Sequence, residues 1–250
     1  MLVFDIETGP QPEEKLRAIL PPVELPPHPG EFTEDMVKYG NAKSDEKRKE
    51  KYDEYKAKHE ASVAEYESTC RQKEEEHWAA FVDNAAKSAT RGQVLAIGYL
   101  SLAANHKRIA ANEDPSDDDA ERALLQEFWN CFSEVGVGKK NKLVGHNIIG
   151  FDLPFLMQRS WMLQVPIPAG VLHGRYFNDV FVDTMQLWGC GAYRNYVSLN
   201  DLAIYFGMPG KNGNGAEFAR LFKEDRKAAI AYLKQDLILT HSVAERLGVA

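Results

Sequence analysis

At 250 residues, 44% apolar and 27% charged, the chain is long enough to bury a core of its own, as one large domain or two small ones. No apolar run nears the roughly 18 to 20 residues that span a bilayer, Met1-Leu2-Val3-Phe4-Asp5 lacks the basic start of a secretory leader, and Cys70, Cys131 and Cys190 form no CxxC pair. A membrane anchor, a leader, a disulfide framework and a cysteine zinc site are therefore not expected, and a reducing cytoplasm is the expected location. The net charge of −7 speaks against a general nucleic-acid binder, but an enzyme that holds divalent ions on carboxylates is acid-rich for that reason, so charge leaves the partner open.

In chain order, Leu2 to Asp5 reads as a short apolar strand ending at an acid. Seven prolines between residues 9 and 33 predict loop or extended chain. From Ser44 to Ala89 there is neither Gly nor Pro, and Tyr52, Tyr55, His59, Val63, Tyr66, Cys70, His77 and Phe81 recur at mostly helical spacing. This predicts one helix of about 45 residues and roughly 68 Å, or a hairpin of two. Val94 to Leu102 and His106 to Ala111 follow as a strand pair, then Asp117 to Ser133 as an amphipathic helix. Lys142 to Gly145 is a short strand, Phe151 to Leu163 a helix, Val180 to Asp183 a strand and Ser198 to Phe206 a short helix. A glycine-rich loop over Gly207 to Gly215 precedes closing helices near Ala216 to Phe222 and Asp225 to Leu247. Early strands followed by helix–strand alternation predict an α/β sheet of about five strands.

Three segments offer chemistry. In Asp5-Ile6-Glu7 a period of two aims both carboxylates at one face, able to hold a divalent cation. With 37 acids in the chain, about five acid-x-acid pairs arise by chance, so a solvated strand end is the competing reading. Asn147 to Asp152 (Asn-Ile-Ile-Gly-Phe-Asp) follows a strand; Asp152 is open to being a first-turn helix acid, Asn147 to being a turn residue. Tyr232 and Asp236 share one face of a strong helix pattern, equally consistent with a surface acid beside a half-buried ring.

Together and in this order, Asp5-Ile6-Glu7-Thr8, Asn147 through Phe151-Asp152, and Tyr232-x-x-x-Asp236 resemble the DEDD superfamily of 3′-5′ exonucleases, the DnaQ-like group with the ribonuclease H-like fold. Ala231 stands where the histidine branch would need His, so the tyrosine branch (DEDDy) is indicated. The similarity is greatest to the exonuclease portion of family B DNA polymerases and to stand-alone phage or bacterial relatives, and Ser198-Leu199-Asn200-Asp201-Leu202 with Phe206-Gly207-Met208-Pro209-Gly210-Lys211 also looks like that group. It covers residues 1–8 and about 91–247. The resemblance implies a ribonuclease H-like five-stranded mixed sheet flanked by helices, with a Pro-rich and helical insertion at about 10–90 of a single domain.

It further implies phosphodiester hydrolysis from the 3′ end of single-stranded DNA, releasing nucleoside 5′-monophosphates, in repair or replication. Asp5, Glu7, Asp152 and Asp236 would hold two Mg²⁺ or Mn²⁺ ions about 3.5 to 4 Å apart, and hard oxygen ligands suit those metals. Tyr232, a weak base at a reference pKa near 10, would orient the attacking water. Thr8 would meet the terminal nucleotide through its backbone, and Asn147 would contact substrate. Phe151 and Phe155 could stack on bases, one of them being core instead. Lys211 could touch a phosphate, although no P-loop surrounds it. Asp183 reads better as a helix cap than as a further site acid, and His146 better as a loop residue than as a ligand. RNA trimming and a non-catalytic nucleic-acid-binding relative are the alternatives. The insertion is a solvated Lys/Glu helix, or its tyrosine stripe docks on the core domain, pairs with a second subunit, meets a replication or repair protein, or guides a strand.

Overall fold

The computed structural model describes residues 2–101, 106–134, 142–168, 171, 180–190, 195–211, 213 and 215–249. Leu102 of the expected strand, and residues 212 and 214 of the glycine-rich loop, lie outside them. The sheet has five strands in the order β3-β2-β1-β4-β5. These are β1 (Leu2–Pro10), β2 (Gly92–Ser101), β3 (His106–Ala111), β4 (Leu143–Gly145) and β5 (Phe181–Asp183). β1 pairs antiparallel with β2, and β2 with β3, whereas β4 and β5 run parallel to β1. The expected mixed five-stranded α/β sheet is thus observed.

β1 is longer than its apolar start suggested, because β2 supplies a pairing partner from Val3 to Pro10. The register slips between Glu7 and Thr8, so Leu95 and Ala96, although adjacent, both meet the same helical cluster. Period-two alternation along β1 sorts its side chains. Leu2, Phe4 and Ile6 enter a core with α3 (Asp118–Glu134) and α4 (Asp152–Met162), including Leu125, Phe128, Trp129, Leu153 and Leu156. Val3 faces the other way, toward Leu237 and Ala244 of α8 (Arg226–Arg246). A buried ion pair fastens the first core: Arg159 of α4 meets Glu121 of α3 through Nε at 2.9 Å and Nη2 at 2.5 Å. Arg159 also donates to the Ala89 carbonyl, and Glu121 accepts the Val94 N–H, so few of the pair's polar atoms are left without a bond.

Two short helices escaped the sequence reading. α1 (Glu13–Ala18) interrupts the proline segment, burying only Leu16, and α5 (Thr184–Trp188) follows β5 directly. Each is too short to show helical periodicity. The other helices are α6 (Leu199–Tyr205) and α7 (Phe218–Glu224).

Residues 17–83 form a compact unit of their own, and residues 1–16 with 84–250 form the other. In the former, α2 (Asp45–Asp83) is one unbroken helix of 39 residues, about 58 Å long. The tyrosine stripe finds its partner in the proline segment, which runs back along the helix. Phe32 packs on Tyr52 and His59, His28 on Tyr66, the Pro21 carbonyl on His77 and the Arg17 guanidinium over Trp78 at 4.2 Å. No residue of α2 is buried, as its Lys/Glu-rich composition requires. Among the described residues no helix is long and apolar enough to cross a membrane.

Candidate active site

The pocket opens where β1 parts from β4. Their pairing ends at Val3–Val144, which leaves the Ile6 N–H without a strand partner. The Asp152 Oδ1 accepts it at 3.1 Å, so the first residue of α4 is tied to the central strand. Asp5 and Glu7 point to the α8 face, and there Asp236 meets them. One carboxylate oxygen of each lies within 4.8 Å of the others. Gly98 makes this approach achievable. It pairs with Asp5 across β1–β2, and a methyl group on it would lie 2.6 Å from Leu237 Cδ1. The missing side chain lets α8 settle on the sheet beside Asp5.

Three of the four expected acids therefore converge, and Asp152 stands next to them, hydrogen-bonded to Asp5. Burial, and then the charge of Asp236, pushes the Asp5 carboxyl up to about 7. Burial and the neighbouring Asp5 charge likewise hold Glu7 and Asp152 well above the usual carboxylate range. Lys211 is the counter-charge. Its Nζ donates to Asp236 Oδ2 at 2.6 Å and draws Asp5 and Glu7 back toward ionisation.

Tyr232 is half-buried one helical turn before Asp236 and hydrogen-bonds to it. Burial, then the Asp236 and Glu7 charges, raises its pKa, so it remains a phenol at neutral pH. Gly213, at φ +120, lies across the ring, where a methyl group would come within 3.2 Å of it. The pocket between these groups measures about 390 Å³, and Ser198, Leu199 and Asn200 complete its rim.

The remaining expected residues divide. The Thr8 hydroxyl donates to the Ala86 carbonyl at 2.7 Å, leaving its backbone as its route to a ligand. Asn147 takes the turn role: φ is +63, and its carbonyl accepts the N–H groups of Gly150 and Phe151. Phe155 is the core member of its pair, only 3% exposed, while Phe151 is half-buried with its ring centroid 5.5 Å away. Asp183 caps α5 and also accepts the N–H groups of Asn147 and Ile149, so the cap reading holds. His146 spans Thr184 Oγ1 and the Val197 carbonyl at 2.9 Å each, and burial holds its pKa below the ordinary value. It is a strut, as the loop reading implied.

Asn200 was missed as a site residue. Its Oδ1 accepts the Lys211 N–H at 2.8 Å and so fixes the loop that carries Lys211 over the pocket. The Ser198-x-x-Asp201 pattern marks the helix start, and Ser198 does cap α6, but nothing in sequence pairs residues eleven apart across a loop.

A mixed sheet with an acid pocket over the middle of its central strand defines an α/β domain with a candidate metal-binding site. Over residues 88–249 the sequence matches the family described as "Predicted 3'-5' exonuclease related to the exonuclease domain of PolB", and the chain belongs to that family. The match begins after the insertion, so β1 with Asp5 and Glu7 joins the site through the sheet and not through the family match. Among solved structures, the chain is similar to the family B DNA polymerase from the hyperthermophilic archaeon Pyrobaculum calidifontis. The TM-score is 0.52 and the identity 19%, over 66% of this chain and 23% of the polymerase, a likeness of fold. The chain thus matches less than a quarter of that polymerase's length. No curated protein matches the sequence.

Proposed function

We propose that the whole chain is a single metal-dependent 3′-5′ exonuclease domain with an insertion, removing nucleotides from single-stranded DNA and releasing nucleoside 5′-monophosphates. The observation that carries this reading is the convergence of Asp5, Glu7 and Asp236 in one pocket, with Asp152 beside them. So dense a cluster of carboxyls is unfavourable by itself, and Lys211 alone does not balance it. Hard oxygen donors around a roomy pocket fit Mg²⁺ or Mn²⁺. When bound, two such ions would supply the charge that activates a water and stabilises the leaving 3′ oxygen.

The chain's own groups do the rest. Asp5, Glu7, Asp152 and Asp236 hold the cations, with Asp152 reaching in from the helix side. Tyr232, a phenol anchored on Asp236, hydrogen-bonds to the attacking water and aims it, without taking its proton. Lys211 exchanges Asp236 for a phosphate oxygen when the strand arrives. Thr8 contributes a backbone contact to the terminal nucleotide, Asn147, whose backbone groups are taken by the turn, offers its side-chain amide, and Phe151 presents a ring to its base. Phe155 supports that ring from below and meets no base itself. DNA is the first choice of substrate and RNA the second, and the carboxylate chemistry neither requires a 2′-hydroxyl nor excludes one.

The test is incubation with 5′-labelled DNA and RNA oligonucleotides in Mg²⁺, Mn²⁺ or chelator, beside Asp5→Ala. A ladder shortening from the 3′ end, lost with chelator and in Asp5→Ala, is the expected result. No shortening of either strand in either metal contradicts the proposal and favours a non-catalytic strand-binding relative.

A further inference from the structure

Outside the pocket, large apolar side chains are exposed on α5 and α6. Tyr205 is 74% exposed, Ile204 57% and Trp188 36%. The Trp188 and Tyr205 rings lie nearly parallel, 6.5 Å apart at 17°, and Phe206 stands edge-on to Trp188 at 5.8 Å. The Arg246 guanidinium sits 5.8 Å over the Phe206 ring and has no carboxylate partner among the described residues.

We propose that Trp188, Tyr205 and Arg246 form a platform on which the bases of a single nucleic-acid strand stack as it leaves the acid pocket. The inference deepens the exonuclease reading and rests on it. Leu187 and Ile204 by themselves would suit any apolar partner. Flat parallel rings with a free guanidinium alongside suit a flat aromatic ligand joined to negative charge, which is a nucleobase on its phosphate chain.

The surface is continuous with the pocket. Asn200 lines the pocket and holds the Lys211 N–H, while a methyl group on Gly210 would lie 3.6 Å from Ile204 Cδ1. The floor therefore runs from Lys211 through Gly210 to Ile204, and Tyr205 is the next residue. From Asn200 to Tyr205 the helix advances about 7.5 Å. At about 3.4 Å per stacked nucleotide, a strand seated by its 3′ end reaches the platform within two or three nucleotides. Stacking is indifferent to sequence, as an enzyme that trims strands of any sequence requires.

The test compares strands of two and of eight nucleotides, each with a 3′-hydroxyl, on the intact protein. KM is measured in Mg²⁺, and tryptophan emission is followed in Ca²⁺. Wild-type protein is expected to show a lower KM for the longer strand, and Tyr205→Ala to raise that KM roughly fivefold or more, the scale of one lost base stack. Tyr205→Phe keeps the ring and is expected to keep the length advantage. Trp188→Phe is expected to abolish the quenching of tryptophan emission that the eight-nucleotide strand produces. An active wild type whose length advantage survives in Tyr205→Ala overturns the platform alone and leaves the patch to a protein partner. A wild type that neither shortens nor binds any strand overturns the exonuclease reading and the platform with it.

Discussion

At the residue scale, the acids of the pocket are set against the stability of the fold. The unfolded chain loses the Asp5 proton near the ordinary value of 3.8, whereas the folded chain without metal holds it to about 7. Between those values the folded state binds the extra proton, so its stability falls as pH rises from about 4 to 7 and stays low above. Asp5→Asn removes the charge and keeps the shape. In chelator at pH 8 we expect this variant to melt about 3 °C or more above wild type, with the gap closing toward pH 4, and to hydrolyse nothing when Mg²⁺ is restored. Scanning calorimetry at both pH values with a parallel activity assay checks it. An equal melting temperature at pH 8 would mean that neither burial nor the neighbouring acids disfavour the Asp5 carboxylate.

Tyr232 gives a second residue-scale expectation. Because its pKa is raised and it leans on Asp236, its contribution is the position of a hydroxyl. Tyr232→Phe should lower turnover by about 10- to 100-fold while Mn²⁺ binding by calorimetry is kept. Unchanged turnover would remove the hydroxyl from the chemistry. These residues were legible in the sequence because each sits at a fixed offset on a strand or helix, where period two or one helical turn dictates a shared face. The grouping of the four acids was legible only through the family resemblance, and the way Asp152 is tied in was not, since it depends on where β4 stops and frees the Ile6 N–H.

At the scale of elements, the closeness of α8 to the sheet decides whether Asp236 reaches Asp5. Gly98 sets that closeness. Gly98→Val would push against Leu237 and Leu233 in a packed core, costing about 1–3 kcal/mol. It should also lift Asp236 away, so that turnover at saturating metal falls further than the stability loss explains. Turnover unchanged in a folded Gly98→Val would contradict the seating of α8 by this glycine. Strands and long helices were readable from apolar periodicity, as the agreement over His106–Ala111 and Arg226–Arg246 shows. α1 and α5 were not, because helices of five or six residues carry barely one period. The far end of β1 was hidden for another reason: Glu7, Gly9 and Pro10 are poor strand formers, and pairing with β2 carries the strand on through them.

At the scale of the molecule, the chain carries two compact units with different logic. Residues 17–83 bury none of α2 and hold together through rings and cations on one helix stripe, while the sheet unit has a deep core and the acid pocket. The pocket draws no lining residue from 17–83. Replacing residues 19–82 with a short Gly/Ser linker should therefore leave a cooperatively melting chain that still shortens a single strand in Mg²⁺. Loss of the cooperative transition would show that the insertion is part of the folding unit. The sequence left open whether the stretch was one helix or a hairpin, because neither Gly nor Pro marks a turn and periodicity alone does not say what covers the stripe. The covering segment is the proline-rich chain just before it, whose extended backbone carries no periodic signal of packing.

The most direct measurement follows the first nucleotide released. A single-stranded DNA labelled in its last nucleotide is mixed with excess protein, then started with Mg²⁺ and sampled over one turnover. The account predicts that the first labelled product is the nucleoside 5′-monophosphate, that it appears before any shortening of the 5′ end, and that chelator or Asp5→Ala suppresses it. Release of the label as a longer fragment, or release that persists in chelator, would contradict it.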